Sequence, residues 1–174
     1  LLRIILNNTR TPHFVKGDLQ AHFGSLLAAE SELRLTIERY GFETVAAAMK
    51  EVQAYTERIV RRSIEAIPDG EYEGEDYADT DGFSDDNVKI KIKLIVDGSS
   101  ITVDLTGTDP QVKGAINSPF ANTASAIYYS LQFFLAPDVP QNQGMFDPIN
   151  IIMPDDCWLN AKWPAPTIGW KSRS

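Results

Sequence analysis

The sequence predicts an α+β fold: an N-terminal antiparallel helical hairpin, then an antiparallel β-hairpin or sheet with a buried third helix. Three observations predict it. Apolar residues recur at three- and four-residue steps over 18–40 and again over 44–67, the spacing of one helix face. They alternate strictly over 88–96, ahead of the hairpin dipeptide Asp97-Gly98. A third apolar stretch, 121–136, runs up to Pro137, which cannot continue a helix.

In the first helix Asp18 suits an N-cap, because its carboxylate can accept the free backbone N–H groups of the first turn. Leu19, Phe23, Leu26, Leu33, Ile37 and Tyr40 form its stripe, and Gly41 suits the left-handed residue that ends it. The second helix starts near Thr44. It carries Val45, Met49, Val52, Thr56 and Ile59 on one face, with Ile64 and Ile67 following, and stops at Pro68. So short a connection predicts antiparallel neighbours. Pro68-Asp69-Gly70 is a turn, and the acidic stretch after it reads as an extended connector with a short strand at Tyr72.

In the clearest strand, Val88, Ile90, Ile92, Leu94 and Val96 face one side and Lys89, Lys91 and Lys93 face water, where the lysines also discourage edge-to-edge pairing. Ile101, Val103 and Leu105 form the return strand. Asn122 or Thr123 suits the cap of the third helix, whose apolar composition on several sides predicts burial, and Ile149, Ile151 and Ile152 suggest one more strand. The organisation is a helical hairpin over 1–68 and an α+β part over 69–174, with a β-hairpin at 88–106 and a helix at 121–136, forming one compact unit.

The chain has 174 residues and a formal charge of -8. Ten of its 24 acidic residues lie between Glu65 and Asp86 with no Lys or Arg among them, which leaves 14 against 16 bases elsewhere. The balance argues against a nucleic-acid partner and against an anionic membrane surface, both of which select clustered bases. The apolar runs near the start are too short for a signal segment or a membrane span, so a cytoplasmic location is expected. Cys157 stands alone, which excludes an internal disulfide and a cysteine-based zinc cluster. His13 and His22 are not at the spacing of a helical metal pair. Asp79-Thr80-Asp81-Gly82 fails the EF-hand pattern in both registers, because position 5 or position 1 falls on Phe83 or Tyr77. No nucleophile elbow, Walker A loop or dinucleotide fingerprint occurs.

Taken in order, Asn8-Thr9-Arg10-Thr11-Pro12, Gly17-Asp18-Leu19, Arg39-Tyr40-Gly41, Ile67-Pro68-Asp69-Gly70, Asp79-x-Asp81-Gly82, Ile101 through Gln111, Gly114-x-Ile116-Asn117 and Asn142-x-Gly144 resemble the hydantoinase B/oxoprolinase family. These are the B-type subunits of ATP-dependent hydantoinases and oxoprolinases, and of acetone and acetophenone carboxylases. The resemblance runs from Leu1 to about Pro166 and implies an interior segment of a longer subunit. Ile168 to Ser174 depart from the family pattern.

The resemblance implies an A-type partner that binds ATP and activates the substrate, a small cyclic amide or imide or a ketone. The B-type subunit then supplies the site of hydrolysis or carboxylation. ATP with Mg²⁺ and a divalent metal are expected in the full complex and none in this segment, since no His-rich family motif occurs here. For substrate binding the polar residues at loop ends are the candidates: Asp109, Gln111, Asn117, Ser118 and Thr123, able to bond a carbonyl or amide. Asn117 before Ser118-Pro119 reads equally as a turn residue, and Thr123 as a cap. A second polar group holds Arg10 and Asp18, with Arg10 able to clamp a carboxylate or to pair with Asp18. The catalytic residues stay open. The alternative to an enzyme component is a non-catalytic assembly module that docks on a partner subunit.

Overall fold

A computed structural model describes residues 1–167. The departure from the family pattern at Ile168–Ser174 lies outside the described residues. Two units are distinguished, residues 1–51 and 52–174.

The first unit is helical. α1 (Leu2–Asn7) is a short helix, and α2 (Pro12–Tyr40) runs for 29 residues. α2 starts at Pro12, whose ring presets the helical φ and whose missing N–H would have been unbonded in the first turn. Asp18 therefore lies inside the helix and does not cap it. Gly41 ends α2 as expected, with φ +82° and its N–H bonded to the Ile37 carbonyl at 2.8 Å. No residue of α2 is buried.

The second unit holds the core. α3 (Phe42–Glu65) enters it through its C-terminal half, where Thr56, Val60 and Ile64 make one buried line at four-residue steps. Met49 and Val52, on the same predicted face, are exposed. The sheet is β1 (Gly70–Ala78), β2 (Val88–Asp97), β3 (Ser100–Asp104) and β4 (Ile149–Ile152), adjacent in that order. β1, β2 and β3 are antiparallel, and β4 returns parallel to β3 after α4 (Phe120–Leu135).

Five readings need correction here. The acidic connector is a nine-residue strand, paired with β2 along its whole length. Its Glu73 and Glu75 stand directly opposite Lys93 and Lys91, so the lysines of β2 lie along a pairing and do not guard a free edge. Lys93 Nζ reaches Glu71 and Glu73 at 3.0 and 3.2 Å, and Lys91 reaches Glu73 at 3.3 Å. Acids and bases far apart in sequence thus screen one another across the ladder.

The hairpin loop is Gly98-Ser99, since Asp97 already pairs with Ser100. Gly98 takes the first central position with φ +55°, and its N–H donates to the Asp69 carboxylate at 2.9 Å.

The third helix is not a buried one. Only Thr123 and Ala124 of α4 are buried, while Phe120, Tyr129, Phe133 and Phe134 are exposed. Pro119, not Asn122 or Thr123, occupies its N-cap position.

Two apolar clusters sit on one face of the sheet. Val60, Ile64 and Met145 pack on Val96, Ile101 and Ile149 at one end. Val88 and Leu105 pack with Cys157, Trp158 and Leu159 at the other. Ile127 joins both clusters, while Tyr128, Leu131 and Leu135 reach the first.

Candidate functional site

Between the two clusters, α4 and the sheet leave a cavity of about 780 Å³. Its walls are Ile90, Ile92 and Leu94 from β2, Val103 from β3, and Ile127 and Leu131 from α4. Ser118, Asn122, Thr123 and Ser130 supply hydroxyl and amide groups, and Asp76 supplies the one charged side chain of the lining. A mostly apolar hollow with a few convergent polar groups is the usual form of a small-molecule site.

The polar end is held by the segment after β3. Thr108 Oγ1 donates to the Lys91 carbonyl at 3.0 Å and lies 3.1 Å from the Lys91 N–H. Asp109 Oδ2 accepts the Lys89 N–H at 2.7 Å. The pairing with β2 therefore continues beyond β3 through side chains. Trp158 closes the arrangement, its N–H on the Asp109 carbonyl at 3.1 Å and its ring N–H on the Lys89 carbonyl at 3.0 Å.

Asn117 is fully buried. Its side-chain oxygen accepts the Val112 N–H at 2.9 Å, and the two hydrogens of its nitrogen are shared among the carbonyls of Val112, Gly114 and Pro166, at 2.8, 2.8 and 3.0 Å. One amide thus satisfies a loop that would otherwise bury bare backbone groups. The loop is also locked from Asp81, whose carboxylate accepts the N–H groups of Phe83, Ser84 and Gly114 at 2.8, 2.9 and 3.1 Å. The backbone bonds from Ser84 and then Phe83 hold its carboxyl below the usual carboxylate range. Gly114 passes so close that a Cβ there would lie 1.7 Å from the Asp81 carbonyl oxygen.

Ser118 and Thr123 then form a directed chain. Thr123 Oγ1 donates to the Leu159 carbonyl at 2.6 Å. A hydroxyl has one proton, so the hydrogen in the 2.9 Å contact between Ser118 and Thr123 belongs to Ser118. Ser118 Oγ in turn accepts from Asn122 Nδ2 at 2.9 Å. Among the described residues no histidine or carboxylate bonds to Ser118 Oγ.

Of the sequence-predicted residues, the structure brings Ser118 and Thr123 to the cavity. Asp109, Asn117 and Gln111 bond the backbone around it, Gln111 Oε1 accepting the Lys162 N–H at 3.0 Å. Arg10 and Asp18 belong to residues 1–51. Both are exposed, and neither a hydrogen bond nor an ion pair joins them. Sequence reasoning misses Asn122 as a lining residue and Asp76 entirely. Asn122 lies one helical turn after Ser118, and that spacing is the available signal.

The cavity lining carries no Lys, Arg or His. Among the described residues no three His, Cys, Asp or Glu side chains cluster. Among them too, no helix is long and apolar enough to cross a membrane.

The sequence profile of the hydantoinase B/oxoprolinase family matches residues 1–173. A protein of Pseudomonas sp. (strain NS671), named for the B component of a D-/L-hydantoinase, is 39% identical over 95% of this chain and 30% of its own length. The 5-oxoprolinase 1 of Arabidopsis thaliana is 32% identical over 88% of this chain and 13% of its own. The crystal structure of the ATP-dependent caprolactamase from Pseudomonas jessenii superposes with a TM-score of 0.85 at 28% identity, covering 96% of this chain and 29% of that one. A nucleotide-free acetone carboxylase shares the fold, with a TM-score of 0.67 at 14% identity over 78% of this chain and 20% of that one. The chain thus spans less than a third of the length of these relatives. With a profile match over residues 1–173 and a solved relative that superposes over 96% of its length, this chain belongs to the hydantoinase B/oxoprolinase family.

Proposed function

We propose that this chain is part of the B-type subunit of an ATP-dependent enzyme that opens a cyclic amide or imide activated by an A-type partner. The observation that carries the reading is the match to the caprolactamase, which extends over 96% of the chain. Sequence identity to the amide hydrolase is 28% and to the carboxylase 14%, which favours hydrolysis over carboxylation. ATP, Mg²⁺ and the divalent metal belong, in this reading, to the partner or to other parts of the subunit. A cytoplasmic location accompanies it.

The contribution of this chain is a wall and a polar anchor. The sheet and α4 exclude water from the hydrocarbon part of the substrate, and Ser118, Asn122 and Thr123 meet its amide end. The test is co-purification of the full-length gene product with its A-type neighbour, followed by turnover of hydantoins, lactams, 5-oxoproline and ketones with and without ATP. ATP-dependent ring opening is expected for the complex and none for the 174-residue chain alone. Turnover confined to ketones in the presence of bicarbonate overturns the hydrolase reading.

A second reading, the non-catalytic assembly module, is favoured by the exposed Phe23, Leu26 and Leu27 of α2. It expects Asn122→Ala to leave turnover of the complex intact, and Phe23→Ser with Leu27→Ser to reduce its assembly.

A further inference from the structure

We propose that α4 is an interior helix of the complete subunit, its outer face covered by an apolar part of the same polypeptide that lies outside residues 1–174. The proposed reaction plays no part in this inference, which stands on the composition of the helix and on the length of the relatives.

The 16 residues of α4 include no Asp, Glu, Lys or Arg, although charged residues make up 23% of the chain. That share would place about four of them on a helix of this length. Yet nine of the 16 positions are exposed. A helix that keeps one face in water carries charge there, and a helix without charge on any side is enclosed.

The outward residues suit a dry contact. Ala121, Ser125, Tyr129 and Phe133 lie at four-residue steps, and all are exposed. The small side chains of the first turns let a neighbouring backbone come close. The rings toward the other end supply area, with Tyr129 at 69% exposure, Phe133 at 67% and Phe134 at 80%. The serine hydroxyls are turned back on the helix. Ser125 Oγ donates to the Ala121 carbonyl at 2.7 Å and Ser130 Oγ to the Ala126 carbonyl at 2.9 Å, so neither needs water for its proton.

The same features select the occupant. A membrane-surface helix sets Lys and Arg beside its apolar face, and α4 has neither. A contact between separately folded subunits keeps a polar rim, because each side must be soluble before they meet. A contact within one polypeptide has no such requirement. The length for it exists: this chain corresponds to 30% of the hydantoinase component and 29% of the solved caprolactamase, so more than two thirds of a subunit of that size is further chain.

The experiment is hydroxyl-radical footprinting of the wild-type full-length gene product, purified without its A-type partner and shown by light scattering to be monomeric. Tyr129, Phe133 and Phe134 should label at least about tenfold faster after unfolding in urea than before. A change of less than about twofold, as for rings already in water, overturns the proposal. So does protection that arises only in a dimer or only on adding the A-type subunit, which would make a second copy or the partner the occupant. Tyr129→p-benzoylphenylalanine and Phe133→p-benzoylphenylalanine, which keep an aromatic ring, then identify the cover. Irradiation should give products of unchanged subunit mass in which α4 is joined to a peptide outside residues 1–174. Cross-links confined to residues 1–174, or products at the mass of two chains, overturn it.

Discussion

Residues 1–51 and residues 52–167 use the same kinds of side chain to opposite effect. The first unit carries Phe14, Phe23, Leu26, Leu27 and Leu33 on a 29-residue helix, all of them exposed. The second carries every buried residue of the described chain, from Thr56 to Asn160. The difference lies in what each helix has beneath it. Within its unit α2 meets the short α1, whereas the C-terminal half of α3 has a sheet assembled from four strands. A periodic apolar stripe therefore announces a face and does not say whether that face is covered.

The largest expected effect tests the tightness of the second unit. Gly114→Ala drives a methyl group into the Asp81 backbone and should cost more than about 4 kcal/mol, read as loss of the cooperative melting transition. Gly24→Ala, in the open interior of α2 with nothing within 4 Å, should instead be neutral or stabilising by about 0.5–1 kcal/mol. A similar loss at both positions would erase the contrast.

Next comes a pair of truncations. Ile64→Ala removes a side chain with no exposed surface from the first cluster and should cost about 3 kcal/mol in chemical denaturation. Leu27→Ala, at 69% exposure, should change stability by no more than about 0.5 kcal/mol. A large loss from Leu27→Ala would mean that the stripe of α2 is covered in solution.

The smallest effect is electrostatic. Asp81 is held below the ordinary value of 3.8 in the folded chain. Its contribution is therefore fully present above that pH and is lost as the pH falls through the lower folded value. Glu73, beside Lys93 and Lys91, and Asp104, beside Thr106, are lowered as well and act in the same direction. Asp81→Asn should lower the melting temperature near neutrality and flatten its acid limb, so that the two curves converge at low pH. Parallel curves would show that the carboxylate contributes no proton linkage.

The cavity is partly legible in the linear chain. Ser118 and Thr123 stand out because they are polar residues at the entry to a helix. Asn122 reads as a cap because Asn favours that position, but Pro119 occupies it. Asp76 lies in a segment whose glycines and acids mask a strand. Glu71, Glu73 and Glu75 alternate as strand residues do, and their lysine partners stand about twenty residues away.

The local elements follow from the order of residues alone: the helical periods, the alternation of β2, the glycine that ends α2 and the turn that joins β2 to β3. Those features need only neighbours within a few residues, where side-chain spacing and backbone preference act directly. The assembled fold is needed to make β1 a strand, to leave α4 half open over the sheet, and to turn Asp109 and Asn117 to the backbone while Ser118 and Asn122 face a cavity. Each of these depends on groups far apart in the chain meeting with matched charge or hydrogen-bonding capacity, and a linear pattern carries no record of which distant group will arrive.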